Sequence, residues 1–148
     1  MQVDTTQTAD EKLRSGIHHA RTLLQDGQFA QAFRAAQDLL RQGAHLGDVH
    51  YLLGKSLFHL QQYDKASVFI QQALNIEPQN PYYLVSMGRI LISTEKFEEA
   101  GKVLEFAFCL SPSLVETHYW WVESYRQRGQ SHIIVSHLAQ NYGDKPAT

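Results

Sequence analysis

Histidine and cysteine are the residue types in this chain that could bind a metal ion or act as nucleophiles. There are eight histidines and one cysteine. No two histidines have the helical spacing, with an intervening glutamate, that binds zinc, and no cysteine cluster accompanies them. His132 and His137 are five residues apart, off a common helical face. Cys109 could pair with His118 as a nucleophile, but it lies near the end of an apolar segment, where free cysteine packs as a small hydrophobe. The sequence therefore predicts no metal site, no cofactor and no enzymatic activity.

Three basic residues offer a different chemistry. Arg21, Lys55 and Arg89 recur at an interval of 34 residues, and we call them the basic column. Two further columns, four residues before it and three residues after it, fall on the same helical face, since residues three or four apart are neighbours on a helix. The earlier column is Ile17, Tyr51, Val85 and Tyr119, the later one is Leu24, Phe58, Ile92 and Arg126, and Glu123 ends the basic column. This helical face predicts that the protein binds a ligand that carries both acidic and apolar groups. The alternative is that the three cations are merely solvated and the apolar residues are core.

Small and aromatic residues follow the same interval of 34 residues. The recurring sets are Phe29, Tyr63, Phe97, then Ala32, Ala66, Ala100, then Ala20, Gly54, Gly88. A fixed period of this size indicates an array of supersecondary units. The small residues are expected where two helices cross closely, because packing there offsets the cost of a glycine inside a helix.

Each unit is predicted to contain two helices. In the second unit, apolar residues recur at spacings of three and four over 49–60 and again over 66–76. Asn80 before Pro81 predicts a capped helix start, and Thr8 with Glu11 predicts a capping box for the first helix. Gly27 and Gly129 are expected in the left-handed conformation that ends helices.

The second and third units resemble tetratricopeptide repeats. The matching positions are Leu53-Gly54, Leu57, Tyr63, Ala66, Ala73 and Pro78, then Met87-Gly88, Leu91, Phe97, Ala100, Ala107 and Pro112. The first and fourth units match less closely, as terminal repeats do. The resemblance implies an all-α superhelix (solenoid) of about three and a half to four helix–turn–helix repeats. We expect an N-terminal leader and the start of the first helix at 1–12, a repeat domain at 13–142 with repeats near 13–46, 47–80, 81–114 and 115–142, and a tail at 143–148.

In this family the first helix of each repeat lines a concave groove, so the resemblance implies that the three columns line it and bind a partner protein or peptide. A known subclass grips acidic chaperone tails with a carboxylate clamp of lysine, asparagine and arginine. The clamp positions here hold Ile17 and Arg21, Leu52 and Lys55, and Tyr82 and Ser86. The clamp is therefore absent, and heat-shock tail binding is not expected. An adaptor or scaffold is the leading hypothesis. A dedicated chaperone of a type III secretion system, or a repeat domain of a larger enzyme or assembly, remain alternatives.

The composition and charge of the chain argue against several other classes of function. The formal net charge is −2 with no basic run, so nucleic acid is not an expected ligand. No secretory signal or membrane-spanning stretch is present in the sequence. The single cysteine favours a reducing compartment, so a cytoplasmic location is expected. An apolar last helix containing Ile133, Ile134 and Leu138 is expected to cap the array, with a weak tendency to self-associate.

Overall fold

The computed structural model describes residues 5–129, 136 and 140, and in these residues all regular structure is helical. Seven helices are defined there. They are α1 Thr5–Gln25, α2 Phe29–Arg41, α3 Gly47–His59, α4 Tyr63–Ile76, α5 Pro81–Ser93, α6 Phe97–Leu110 and α7 Val115–Gln127. The predicted pairs of helices are confirmed in this part of the chain. Three predicted segments lie outside the described residues: residues 1–4 of the expected leader, the last helix with Ile133, Ile134 and Leu138, and the tail 143–148.

The chain divides into two compact units, Met1–Tyr83 and Leu84–Thr148. In the first unit α1 packs on α2 and α3, α2 packs on α3, and α3 packs on α4. Its core includes Ala20, Ala36, Val49, Leu52 and Leu53, all with 2% or less of their surface exposed. In the second unit α6 packs on α7. Leu104 and Trp121 are buried there, and the Trp121 ring stacks on that of Phe108 at 5.3 Å between centroids.

Glycines of α3 and α5 lie where these helices cross their neighbours, as the sequence predicts. A Cβ added to Gly54 would lie 2.5 Å from Ile70 Cδ1 and 3.2 Å from the backbone oxygen of Ala66. A Cβ added to Gly88 would lie 2.5 Å from Leu104 Cδ2. All three distances are shorter than ordinary van der Waals contact, so only glycine lets these helices approach so closely.

The first helix of each repeat ends in one recurring turn. The residues with φ between 61° and 81° are Gly27, Gln61, Glu95 and Gly129, again 34 residues apart. The next N–H after each of the first three donates to the carbonyl five residues earlier, as in Gln28 to Leu23 at 2.9 Å. This is the Schellman arrangement, which satisfies carbonyls at the end of a helix. The prediction for Gly27 and Gly129 is confirmed. Gln61 and Glu95 adopt the same conformation, which their residue types do not predict.

One of the two predicted helix starts is confirmed. Asn80 Oδ1 accepts hydrogen bonds from the backbone N–H groups of Tyr82 (3.0 Å) and Tyr83 (3.4 Å), and α5 begins at Pro81. The capping box at Thr8 was wrong, because α1 begins at Thr5 and Thr8 lies within it. No glycine or proline stands between Thr5 and Thr8, so nothing there interrupts the helix.

Candidate functional site

Nine of the twelve residues predicted to bind a partner keep some exposed surface. Arg21, Tyr119 and Arg126 are exposed, while Ile17, Tyr51, Lys55, Phe58, Arg89 and Glu123 are partly exposed. The other three, Leu24, Val85 and Ile92, are buried with at most 9% of their surface exposed, so they belong to the core rather than to an accessible surface. Leu24, for example, lies in the cluster formed by Ala20, Ala36 and Leu53. A helix packed on both sides exposes a narrower strip than one full face, so the flanking columns are only partly accessible.

Lys55 and Tyr51 form the best-defined part of the basic column in the first unit. Both lie on α3, four residues apart, and Lys55 Nζ lies 5.2 Å from the centre of the Tyr51 ring. This is cation–π geometry, which holds an ammonium group in place without neutralising its charge. Within residues 5–129, no carboxylate lies within salt-bridge distance of Lys55 or of Arg21. The two cations are therefore available to a carboxylate supplied from outside.

A buried tyrosine supports the ring of Tyr51. The Tyr83 ring centre lies 4.9 Å from that of Tyr51, and the Tyr83 hydroxyl donates a 2.6 Å hydrogen bond to Asp48 Oδ1. Burial, and then the hydrogen bond to Asp48 and the nearby carboxylate of Glu77, raise the pKa of Tyr83 far above its ordinary value, so the hydroxyl stays protonated and remains a donor. Sequence reasoning missed this support, because Asp48 and Tyr83 are 35 residues apart and belong to no recurring column.

Arg89, the third member of the basic column, has a different environment in the second unit. Its guanidinium carbon lies 4.6 Å from the centre of the Trp120 ring, and its Nη1 lies 3.7 Å from Glu116 Oε1. The Arg89 side chain is 21% exposed and that of Glu116 is 49% exposed. The sequence treats the three basic residues as equivalent, whereas the structure pairs Arg89 with an acid of its own chain. Neither Glu116 nor Trp120 was singled out in the sequence.

Glu123 and Arg126, which end the columns, bind each other on α7. Arg126 donates from Nε at 2.9 Å and from Nη2 at 2.6 Å to the two oxygens of Glu123, and Gln127 adds a third donor at 2.8 Å. The hydrogen bonds from Arg126 lower the pKa of Glu123, and those to Glu123 raise the pKa of Arg126. Because the two charges satisfy each other in a bidentate pair, this end of the column offers little net charge to a ligand.

Tyr119 is the most exposed aromatic residue of the predicted set, with 60% of its surface accessible. Its ring meets that of Trp120 edge to face, with centroids 4.9 Å apart. Val115 and Val122 share its face of α7, at spacings of four and three residues, and are also exposed. Isolated exposed apolar residues are ordinary, but these three form a continuous strip.

His50 is the one histidine in the described part of the chain whose ring is buried. Its Nδ1 has no hydrogen-bond partner there, and its ring lies 6.3 Å from that of His45 and 6.4 Å from that of Phe69. Burial, and then the neighbouring His45, lower the pKa of His50 below its ordinary value. Within the described residues, no group of three or more His, Cys, Asp or Glu side chains could hold a metal ion.

Comparison with known proteins identifies part of the chain. The family model described as tetratricopeptide repeat matches residues 23–90. No curated protein sequence matches the chain. The helices of the described residues also include none that is long and apolar enough to cross a membrane.

Solved structures share the fold at low sequence identity. The second tetratricopeptide domain of human RPAP3, in complex with the HSP70 peptide SGPTIEEVD, is 13% identical, with a TM-score of 0.70 over 78% of this chain and 96% of that one. The TPR2B domain of yeast Sti1, in a complex with pHsp70, is 11% identical, with a TM-score of 0.72 over 79% of this chain and 98% of that one.

A longer protein contains the fold as a part. An O-GlcNAc transferase mutant from Thermobaculum terrenum is 19% identical, with a TM-score of 0.79 over 96% of this chain, which spans 28% of the transferase. Identities this low establish the fold, which is the all-α repeat solenoid expected from the sequence. The family match identifies residues 23–90 as tetratricopeptide repeats, and the described residues share the fold of solved tetratricopeptide repeat domains.

Proposed function

We propose that this chain is a non-enzymatic protein-interaction module that binds a segment of a partner protein carrying apolar side chains and at least one carboxylate. The observation that carries the proposal is the state of Arg21 and Lys55 in the first unit. Both keep accessible charge, and no carboxylate of the described residues neutralises either one. A ligand carboxylate would supply the missing counter-charge.

The surroundings of Lys55 define the rest of the ligand. Tyr51, Phe58 and Ile17 are partly exposed and lie in register with the two cations. Partly exposed aromatic rings favour apolar side chains, because a bound side chain buries surface that water otherwise covers. An extended or helical peptide that alternates apolar and acidic residues fits such a surface.

The ligand differs from the chaperone tails that the solved relatives bind. The carboxylate-clamp positions here include Leu52, which is buried, and Tyr82, which is exposed but carries no charge. We therefore expect the peptide SGPTIEEVD, which the human RPAP3 domain binds, to bind this chain weakly or not at all. We also propose a cytoplasmic location for the module, since its single cysteine favours a reducing compartment.

A selection experiment tests the proposal. Random peptides displayed on phage are selected on the wild-type chain at low salt, where electrostatic attraction is least screened. Enrichment of peptides that combine aspartate or glutamate with apolar residues is the expected result. Selection of basic peptides, or of apolar peptides without a carboxylate, would contradict the proposal.

Charge reversals then locate the site. Lys55→Glu, alone and with Arg21→Glu, should weaken binding of a selected acidic peptide by an amount that shrinks as salt rises. Lys65→Glu is the matched control, because Lys65 is exposed on α4, outside the three columns. An equal loss in the control would mean that net charge, and not the basic column, governs binding.

A further inference from the structure

The four basic residues of the predicted face differ in what already neutralises their charge. Arg21 and Lys55 have no carboxylate partner among the described residues, whereas Arg89 lies 3.7 Å from Glu116 and Arg126 is held by Glu123 at 2.6 Å. The two acid–arginine pairs of the second unit also differ from each other in geometry, and this difference carries a functional consequence.

Arg126 and Glu123 form a bidentate, hydrogen-bonded ion pair. Two parallel hydrogen bonds join the groups at 2.9 and 2.6 Å, and Gln127 donates to the same carboxylate. Distances of this size are those of strong charge-assisted hydrogen bonds, and the two-point geometry uses the guanidinium fork. To replace Glu123, a ligand carboxylate would have to break both hydrogen bonds that Arg126 donates to it.

Arg89 and Glu116 form an ion pair without a hydrogen bond between them. At 3.7 Å the contact exceeds hydrogen-bond length, so it is an electrostatic attraction between two ions that are not locked together. Glu116 is half-exposed and stands in the first turn of α7, so its carboxylate can turn into water at little cost. Arg89, in contrast, is largely buried and is held by the face of Trp120, 4.6 Å from its guanidinium carbon. Arg89 would keep its place if Glu116 left.

We propose that Glu116 occupies the position of a ligand carboxylate at Arg89, and that a partner binds Arg89 by displacing it. Glu116 thereby determines how much negative charge a ligand needs at this point. A ligand without a carboxylate for this position would leave the internal pair in place, whereas a ligand that supplies one would gain Arg89. This inference rests on the proposed function, because it assumes an acidic partner.

The experiment uses the acidic peptides selected on the wild-type chain and measures their affinity for Glu116→Gln by fluorescence anisotropy. Removing the competitor should increase affinity by up to about fivefold, the range over which partly exposed ion pairs contribute. Glu98→Gln is the matched control, since Glu98 forms an exposed pair with Lys102 at 3.9 Å and its loss changes the net charge equally. The control should leave affinity unchanged.

Arg89→Gln separates competition from simple charge repulsion. In an Arg89→Gln background, Glu116→Gln should give no gain, because there is no guanidinium to release. Arg126→Gln in the wild-type background should have little effect on peptide affinity, since Arg126 is already hydrogen-bonded to Glu123. Thermal melts followed by circular dichroism verify that each variant is folded.

The outcomes distinguish this inference from the function on which it rests. Unchanged or weaker binding by Glu116→Gln, or a gain that persists without Arg89, would overturn the role of Glu116 while leaving an acidic ligand at Lys55. Failure to select any acidic peptide on the wild-type chain would overturn the proposed function and the inference together.

Discussion

Replacing Gly88 by alanine tests the packing that defines the repeat. The new Cβ would lie 2.5 Å from both Cδ2 and Cγ of Leu104 and 3.0 Å from its Cδ1. Cγ is the branch point of the leucine side chain, so rotating one methyl group away does not relieve the contact. Leu104 is itself fully buried and has little room to move. The two helices must therefore separate, or Leu104 must leave its preferred rotamer.

Two opposing effects set the size of the change. Alanine is more favourable than glycine inside a helix by about 1 kcal/mol. Overpacking of a core by added carbon atoms costs about 1–3 kcal/mol. Because the contact involves the branch point of a buried side chain, we expect the upper part of that range and a net loss of about 1–2 kcal/mol in the free energy of unfolding. Gly88→Leu, which adds more volume at the same point, should cost more.

Gly101 provides the matched control in the same unit. A Cβ at Gly101 would lie 3.6 Å from the Tyr125 ring, an ordinary van der Waals distance, and the residue lies inside α6. Gly101→Ala should therefore stabilise the chain by up to about 1 kcal/mol, through helix propensity alone. Urea denaturation followed by circular dichroism measures all three variants.

A double-mutant cycle identifies the cause of the loss. Leu104→Ala removes the atoms that the new Cβ would meet, so Gly88→Ala should be neutral or stabilising in that background. The reasoning is refuted if Gly88→Ala is as stable as the wild type, or if its cost is the same with and without Leu104.

Three other predictions concern separate features. Gln61→Gly and Glu95→Gly should each stabilise the chain by about 0.5–1 kcal/mol, because both residues adopt φ near 61°, where a side chain is disfavoured; unchanged melting temperatures would count against this. Tyr83→Phe should cost about 1–2 kcal/mol, since it removes the buried hydroxyl that donates to Asp48, and a urea midpoint equal to that of the wild type would contradict it. Because the pKa of His50 is lowered in the native chain, the unfolded chain takes up a proton at this residue first as pH falls. The stability of the native chain is therefore full above about pH 6.5 and declines below it towards the native pKa. His50→Phe should flatten that decline in thermal melts recorded across this range, and an unaltered slope would refute it.

The repeat period predicted the fold because each column has a strict packing role. Gly54 and Gly88 mark helix crossings, Ala66 and Ala100 are buried, and Asn80 caps α5, all readable from spacing and residue type. The start of α1 was not predictable in the same way, since residue types around Thr8 permit a helix on either side of it.

The site was predicted less well, because a column gives a direction on a helix but not the depth of burial. Leu24 and Ile17 are both apolar members of the predicted face, yet only Leu24 is buried. The spacing of residues in the sequence also did not predict which charged side chains form ion pairs. Glu116 neutralises Arg89 from a different helix, and nothing in the spacing of the two residues marks them as partners.

The central claim is that a ligand binds beside Lys55 in the first unit. The most direct measurement is a titration of the isotopically labelled chain with a selected acidic peptide, following backbone amide signals by NMR. The account predicts that shifts concentrate at Ile17, Tyr51 and Lys55, with no change at Val68 and Phe106, which are exposed apolar residues on α4 and α6. Shifts concentrated at Val68 or Phe106, with Tyr51 and Lys55 unaffected, would contradict it.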